Sequence, residues 1–271
     1  MMNERTQILL TNDDGILSPG LWAAAAALSE LGYVTIAAPR EQVSGAGRSM
    51  PRNYDGRIER TTLRINDQDW PVYSVGGSPA QTVQHAILEI MPRLPNLVVA
   101  GINYGENVGS GITVSGTVGA AMEGASMGVP ALAVSLQIMG TDYFTYHDLD
   151  FTPAGFFTQL FARMLLSGNS LSDVDLLKVE VPADATTKTP WKVTRLAKHR
   201  YYLPITRRPV KWNEPYYIEC APQVTPEEVK PGSDIHALLY EKVVSVTPLS
   251  LDMTSRVNLN DLEQSLRANG S

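Results

Sequence analysis

Apolar positions in the first two thirds of the chain fall into short blocks separated by polar turns, and the blocks alternate between two spacings. Residues 7–11 (QILLT) are a compact apolar run stopped by Asn12-Asp13-Asp14-Gly15, the pattern of a buried strand ended by a turn. Pro19 then opens an Ala-rich helix, residues 20 to about 31, with Gly32 just past its end, the expected asymmetry of Pro and Gly at helix ends. Residues 33–38 (YVTIAA) predict a second strand closed by Pro39, and 41–49 a Gly/Ser loop. Residues 62–65 and 70–75 flank a polar NDQD stretch and predict a hairpin. Ser78-Pro79 opens a helix to about Met91; residues 97–100 predict another buried strand, followed by a Gly-rich stretch over 101–111. Ser115-Gly116 opens a small-residue helix to about Met127, residues 131–136 a strand, 153–166 an amphipathic helix and 176–181 a strand. Strands alternating with helices imply right-handed βαβ units and an α/β fold with a mostly parallel sheet. Beyond residue 183 the pattern changes. Residues 192–196 and 216–219 predict strands around a loop rich in Pro, Arg and Tyr. Residues 234–248 carry a short helix signal and a Val-rich strand (VVSVTP), and 259–266 are weakly helical.

Composition narrows this picture by exclusion. With 271 residues, 44% apolar and 18% charged, the chain has an ordinary globular balance and is long enough to bury a sizeable core without staples. The single cysteine, Cys220, excludes an internal disulfide and a cysteine zinc cluster. The apolar run near the N-terminus is too short for a signal-peptide core and no stretch approaches membrane-spanning length, so a cytoplasmic protein with no membrane partner is expected. A net charge of −6 disfavours long nucleic acid as a partner. All seven lysines lie at Lys178 or later, so chemistry in the first two thirds relies on Arg or backbone for positive partners, and no GxxxxGK[ST] phosphate loop occurs. No GxSxG and no complete GxGxxG are present either, which argues against a serine hydrolase and a standard dinucleotide site.

Asp13-Asp14 is the sharpest chemical feature. Two adjacent carboxylates at the end of an apolar strand repel, so one pKa rises or a cation is required. Ligands of open α/β sheets sit outside the carboxyl ends of strands; a plain reading remains, in which one Asp caps the helix opened by Pro19. The following strand ends add Ser44, in Ser44-Gly45-Ala46-Gly47, and Asn103, in the run GINYGENVG. Asp13, Asp14, Ser44 and Asn103 together make an all-oxygen set suited to a hard cation, Mg²⁺, Mn²⁺ or Ca²⁺, rather than to zinc or copper. Ser115-Gly116-Thr117 opens a helix whose free N–H groups favour an anion such as phosphate, or else Ser115 is simply an N-cap on a helix thinned for packing. Gly119, Gly124 and Gly128 in that helix imply close approach to the sheet or to a ligand. His85, His147, His199 and His236 show no metal-ligand spacing. Lys198-His199-Arg200-Tyr201-Tyr202 with Arg207, Arg208 and Lys211 reads either as a base-stacking or phosphate surface or as a solvated arm or subunit contact.

The run ILLTNDDGILSPG, the SGAG loop, and GINYGENVG followed by SGTVGAAMEGASMGVPALAVSL resemble the SurE family of metal-dependent phosphatases. The resemblance continues through Ser233-Asp234-Ile235 and VSVTPLSLD, nearly the whole chain. It implies a Rossmann-like three-layer core over residues 1–183, a projecting β-hairpin arm over 184–232, and a C-terminal segment, 233–271, returning to the core or to a partner subunit. It implies homodimers with exchanged C-terminal segments, often paired into tetramers. It further implies one divalent cation per subunit held by Asp13, Asp14, Ser44 and Asn103, with Asn12, Asn107 and Ser115, Gly116 and Thr117 around the phosphate. The expected activity is that of a phosphoric monoester hydrolase of the 5′-nucleotidase type acting on nucleoside monophosphates, with Asp13 or Asp14 orienting or deprotonating water. The competing readings are a nucleotide-binding or sensing protein without turnover, an aspartyl-phosphate phosphatase, against which the missing DxD spacing argues, and a nucleotide-sugar glycosyltransferase. Two departures stand out: Gln81 replaces the family's usual Asp, and the arm around residues 207–217 lacks the common Asp-Pro-Arg-Gly pattern.

Overall fold

The computed structural model describes residues 5–65, 68–139, 149–168, 172–205 and 208–268. Strand β1 (Gln7–Thr11) lies near the middle of a nine-stranded sheet. Its side chains alternate between two cores: Ile8 and Leu10 face one, Leu9 the other, and all three are fully buried. That is why the run reads as continuously apolar rather than alternating. Helix α1 (Pro19–Ser29) returns the chain to β2 (Tyr33–Pro39), parallel to β1. The hairpin of β3 (Ile58–Ile65) and β4 (Gln68–Val75) extends that side, with β4 parallel to β2 and β3 at the edge. Helix α2 (Pro79–His85) runs on as a wider helical turn, Ala86–Ile90. The chain then crosses to the other side of β1 with β5 (Leu97–Tyr104), helix α3 (Gly116–Ser126), β6 (Ala131–Leu136), helix α4 (Thr152–Leu166) and β7 (Leu176–Val181), all these strands parallel. Helices α1 and α4 cover one face of the sheet, and α2 and α3 the other. The expected three-layer α/β core with a mostly parallel sheet is the observed one.

Three segments differ from the expectation. β5 does not stop at residue 100 but continues through the glycine stretch to Tyr104, with a register shift against β6 between Ala100 and Asn103. Gly101, at φ +130°, permits it: a Cβ there would lie 2.3 Å from the Val134 carbonyl oxygen. The segment 184–232, expected as one arm, is divided. β8 (Trp191–Val193) joins the edge of the main sheet, and the separate hairpin consists of β9 (Tyr202–Ile205) and β10 (Glu219–Pro222). The short helix α5 (Asp234–His236) leads to β11 (Val244–Leu249). The Val-rich β11, expected to find cover on a second subunit, finds it in its own chain, antiparallel to β7 on one side and parallel to β8 on the other. Helix α6 (Leu259–Ala268) follows, and its residues are exposed throughout.

Candidate metal and phosphate site

The order in which strands are added reverses at β1: on one side they are added through β2 and on the other through β5. Such a switch point leaves a crevice at the carboxyl ends of the strands. Asp13 and Asp14 sit there, both buried. Gly15, at φ +92°, makes the turn, and Asn12 locks it by donating from Nδ2 to the Gly15 carbonyl at 2.9 Å. The loop after β2 is tied beside it, since Val43 N–H donates to the Asp13 carbonyl at 2.8 Å and Gly47 N–H to the Val114 carbonyl at 3.0 Å. This brings the exposed Ser44 to the crevice. From the other side of the switch point, Tyr104 N–H donates to Asp14 Oδ2 at 2.9 Å, which brings Asn103 to the same edge. Asn103 Nδ2 donates to the Gly105 carbonyl at 2.6 Å, leaving its amide oxygen as the group it can offer a cation.

The start of α3 closes the crevice. Ser115 caps the helix, its Oγ accepting from Val118 N–H at 3.1 Å. Thr117 Oγ1 donates to Asp13 Oδ1 at 2.5 Å, and the backbone N–H groups of Thr117 and Gly116 also favour the Asp13 carboxylate. A Cβ on Gly116 would lie 2.7 Å from Asp13 Oδ2, so this position has room for glycine alone. Ser115, Gly116 and Thr117, expected around a phosphate, are thus first of all the seat of Asp13. Asn12, also expected at the phosphate, belongs to the turn; the atom it leaves buried without a hydrogen-bond partner is Oδ1, an acceptor, which suits a cation or an N–H rather than an anion.

Burial raises the pKa of Asp13 even though Thr117 and the helix amides pull it down. Asp14 is pushed up to about 7 by burial and then by the Asp13 charge; the groups that counter this are the Tyr104 N–H and the Gln42 amide, both neutral. Two buried carboxylates held by neutral donors, with neutral oxygens beside them, are the donor set of a hard cation, whose charge removes the strain. The residues present therefore fit one Mg²⁺ or Mn²⁺ ion. Among the described residues no group of three His, Cys, Asp or Glu forms a softer metal site.

Asn107 lies on the loop after β5. Its Nδ2 donates to Ser135 Oγ on β6 at 3.1 Å, leaving the second amide hydrogen for a ligand. Its backbone is gripped by charges the sequence reading did not single out: N–H donates to Glu180 Oε2 at 2.9 Å, and the carbonyl accepts from Lys178 Nζ at 2.9 Å. A signal for them existed, since Lys178 and Glu180 are opposite charges two apart in an otherwise apolar strand, hence on one buried face. Gln42 was also missed; a glutamine in a Gly/Ser loop carries no signal of its own.

The remaining candidates do not converge on the site. Among the described histidines, His85 contacts Glu89 and His236 contacts Glu241, both local pairs, while His199 meets the Ser110 N–H through its backbone carbonyl. Tyr201 is buried in a satellite core with Val108, Val229 and Ile235, and Arg208 stacks on Tyr216 in the arm. His147 and Arg207 lie outside the described residues.

Fold and site together define an α/β protein with a buried acidic pair at the switch point of a doubly wound sheet. The family model described as survival protein SurE matches residues 8–203. A 5′-nucleotidase SurE from Methanosarcina barkeri is 39% identical over 266 residues, 96% of this chain and 97% of its own. One from Thermococcus gammatolerans is 40% identical over 264 residues, 96% of each chain. The crystal structure of the Sure protein from Aquifex aeolicus matches with a TM-score of 0.74 at 30% identity, covering 98% of this chain and 100% of that one. The chain belongs to the SurE family.

Proposed function

We propose that this protein is a 5′-nucleotidase that hydrolyses nucleoside monophosphates to nucleoside and phosphate, with one Mg²⁺ or Mn²⁺ per subunit held by Asp13, Asp14, Ser44 and Asn103. The observation that carries the reading is the buried Asp13–Asp14 pair, raised in pKa and seated between neutral donors at the sheet's switch point; the names of the relatives supply the substrate class. When bound, the cation supplies Lewis-acid polarisation of a phosphoryl oxygen and makes an attacking water more acidic. Thr117 and the first amides of α3 hold Asp13 in one orientation. One of the two carboxylates takes the proton of the attacking water while the other remains a ligand, since one carboxylate cannot do both well. Asn107 offers its free amide hydrogen to a phosphate oxygen, and developing negative charge falls near the N-terminus of α3.

Assembly belongs to the same reading. Leu259, Leu262 and Leu266 form one exposed apolar stripe on α6, and we assign its cover to a second copy of the chain in a homodimer or dimer of dimers. No helix among the described residues is long and apolar enough to cross a membrane. The test is phosphate release from AMP. Release with Mn²⁺, its loss with EDTA, and its loss in a folded Asp13→Asn variant are expected. A protein that binds AMP yet releases no phosphate from any nucleoside monophosphate in Mg²⁺ or Mn²⁺ is a binding or sensing protein instead.

A further inference from the structure

Behind the site lies a fully buried charged cluster. Lys178 and Glu180 on β7 and Asp234 at the start of α5 have side chains of 0% exposure. Lys178 Nζ stands 3.3 Å from Glu180 Oε1, 3.2 Å from Asp234 Oδ2 and 2.9 Å from the Asn107 carbonyl. Glu180 Oε2 accepts from Asn107 N–H at 2.9 Å, and Asp234 Oδ2 accepts from Gly109 N–H at 3.0 Å. Asp234 Oδ1 accepts from Ala197 N–H and Ile235 N–H, both at 2.9 Å. A buried lysine and two buried carboxyl groups are a poor way to stabilise a core, because apolar side chains of the same volume serve at least as well. The cluster grips the backbone N–H and the carbonyl of Asn107, and the amide two residues further on. Ser135 then aims the side chain that remains.

We propose that Lys178, Glu180 and Asp234 are positioning residues that hold Asn107 against the substrate phosphate, so that the C-terminal segment, through Asp234, completes the active site. The inference rests on the reading of Asn107 as a phosphate contact. None of the three charged groups touches substrate; each acts through the 107–109 loop. Glu180 and Lys178 fix the two peptide planes on either side of the Asn107 Cα, and Asp234 fixes Lys178 and Gly109. A misplacement of about 1 Å at a contact of this kind lowers turnover by about a hundredfold.

The experiment is a double-mutant cycle on the full-length, Mn²⁺-loaded enzyme with AMP as substrate and inorganic phosphate as inhibitor. The near-isosteric Glu180→Gln and Asp234→Asn are each made alone and on an Asn107→Ala background. Each is expected to lower kcat/KM about 10- to 100-fold alone, with the inhibition constant of phosphate rising in parallel, and by less than about twofold once Asn107 is gone. Mn²⁺ affinity by calorimetry stays within about threefold of the parent, because no member of the cluster touches Asp13 or Asp14. Wild-type kcat/KM in a folded variant, or the same loss on both backgrounds, overturns the inference. Full activity of Asn107→Ala alone instead overturns the phosphate reading beneath it. A third measurement needs no variant: in the native enzyme the amides of Asn107 and Gly109 are expected to exchange at least about a hundredfold below the unprotected rate. Unprotected exchange there shows that the cluster does not hold the loop.

Discussion

A Cβ on Gly116 would lie 2.7 Å from both Asp13 Cβ and Asp13 Oδ2, so alanine at this position has to push the carboxylate aside. Gly116→Ala is therefore expected to lower AMP hydrolysis by about a hundredfold. Its Mn²⁺ affinity falls in parallel, while far-UV circular dichroism stays native. Unchanged Mn²⁺ binding in that variant would place the cation away from Asp13. Asp14 allows a second test through pH. Its carboxyl stands at about 7 against an ordinary 3.8, a group raised on folding. Such a group contributes stability fully below its unfolded pKa and loses it as pH rises through the folded value. The metal-free protein is thus weakened between about pH 4 and pH 7 by this residue. In EDTA, Asp14→Asn should melt above the parent at pH 8 and match it near pH 4. With Mn²⁺ at a hundred times its Kd, the parent gains about 2.7 kcal/mol that the variant does not, and the gap at pH 8 narrows. An identical melting difference at both pH values in EDTA would show that Asp14 ionises normally. The acidic pair was legible in the sequence because its cost is local, two like charges side by side. The partners that settle its orientation, Thr117, Tyr104 and Gln42, lie 104, 90 and 28 residues away, and no spacing rule connects them.

Helix α3 shows how an element is shaped by what it lies against. A Cβ on Gly119 would meet the Gly47 carbonyl oxygen at 2.3 Å, and one on Gly124 would meet Val98 at 2.7 Å. The glycines are therefore explained by both kinds of close approach, to the loop that carries Ser44 and to the sheet. Gly128 is different: it sits in open space at φ +80° and ends the helix. Gly119→Ala is expected to displace the 41–47 loop and weaken Mn²⁺ at least about tenfold, by loss of a neutral oxygen ligand. Gly128→Ala should cost about 1 kcal/mol of backbone strain and leave Mn²⁺ binding unchanged. Equal Mn²⁺ affinities in the two variants would separate Ser44 from the cation. Gln81 has an equally local account. It completes a capping box with Ser78, and its Nε2 donates to the Pro51 carbonyl at 2.9 Å, a bond that an aspartate in its place has no donor to make. Elements with long, uniform patterns, β1, α1, β2, β6, α4 and β7, could be read directly from periodicity. β5 could not be followed past residue 100, since GINY reads as loop until Gly101 is seen to carry the strand through a bulge. β8, β9 and β10 are three or four residues each, too short for a period to emerge, and their pairing is set by partners far along the chain.

At the scale of the whole molecule, the sheet explains which part of the C-terminus belongs to the fold and which part is left over. β11 runs between β7 and β8, placing Ser245 opposite Glu180 and Thr247 opposite Lys178. Thr194, Ser245 and Thr247 share buried hydroxyl hydrogen bonds of 2.8 Å across that seam. A chain cut after Pro231 loses β11 and Asp234 together, strips two strand edges and leaves Lys178 with one carboxylate in a dry interior. That product is expected to be insoluble or unfolded. Residues 252–268 are exposed, and the leucines of α6 touch none of the buried core. A chain cut after Leu251 keeps every strand and every proposed ligand, so its melting temperature should fall by no more than a few degrees. Its kcat/KM for AMP should stay within about twofold, because the site is built from the core and from Asp234. What the shorter cut removes is the apolar stripe of Leu259, Leu262 and Leu266, which we assign to the partner subunit. Light scattering should therefore show the 1–251 chain as a monomer where the full chain is a dimer or larger. A dimeric, fully active 1–251 chain would move the subunit contact elsewhere, and the hairpin of β9 and β10 is the next place to cut. It carries Trp212 and Tyr217, more exposed than any other large hydrophobic side chains among the described residues, and Tyr202 at its base donates to Glu106 in the loop that also holds Asn107.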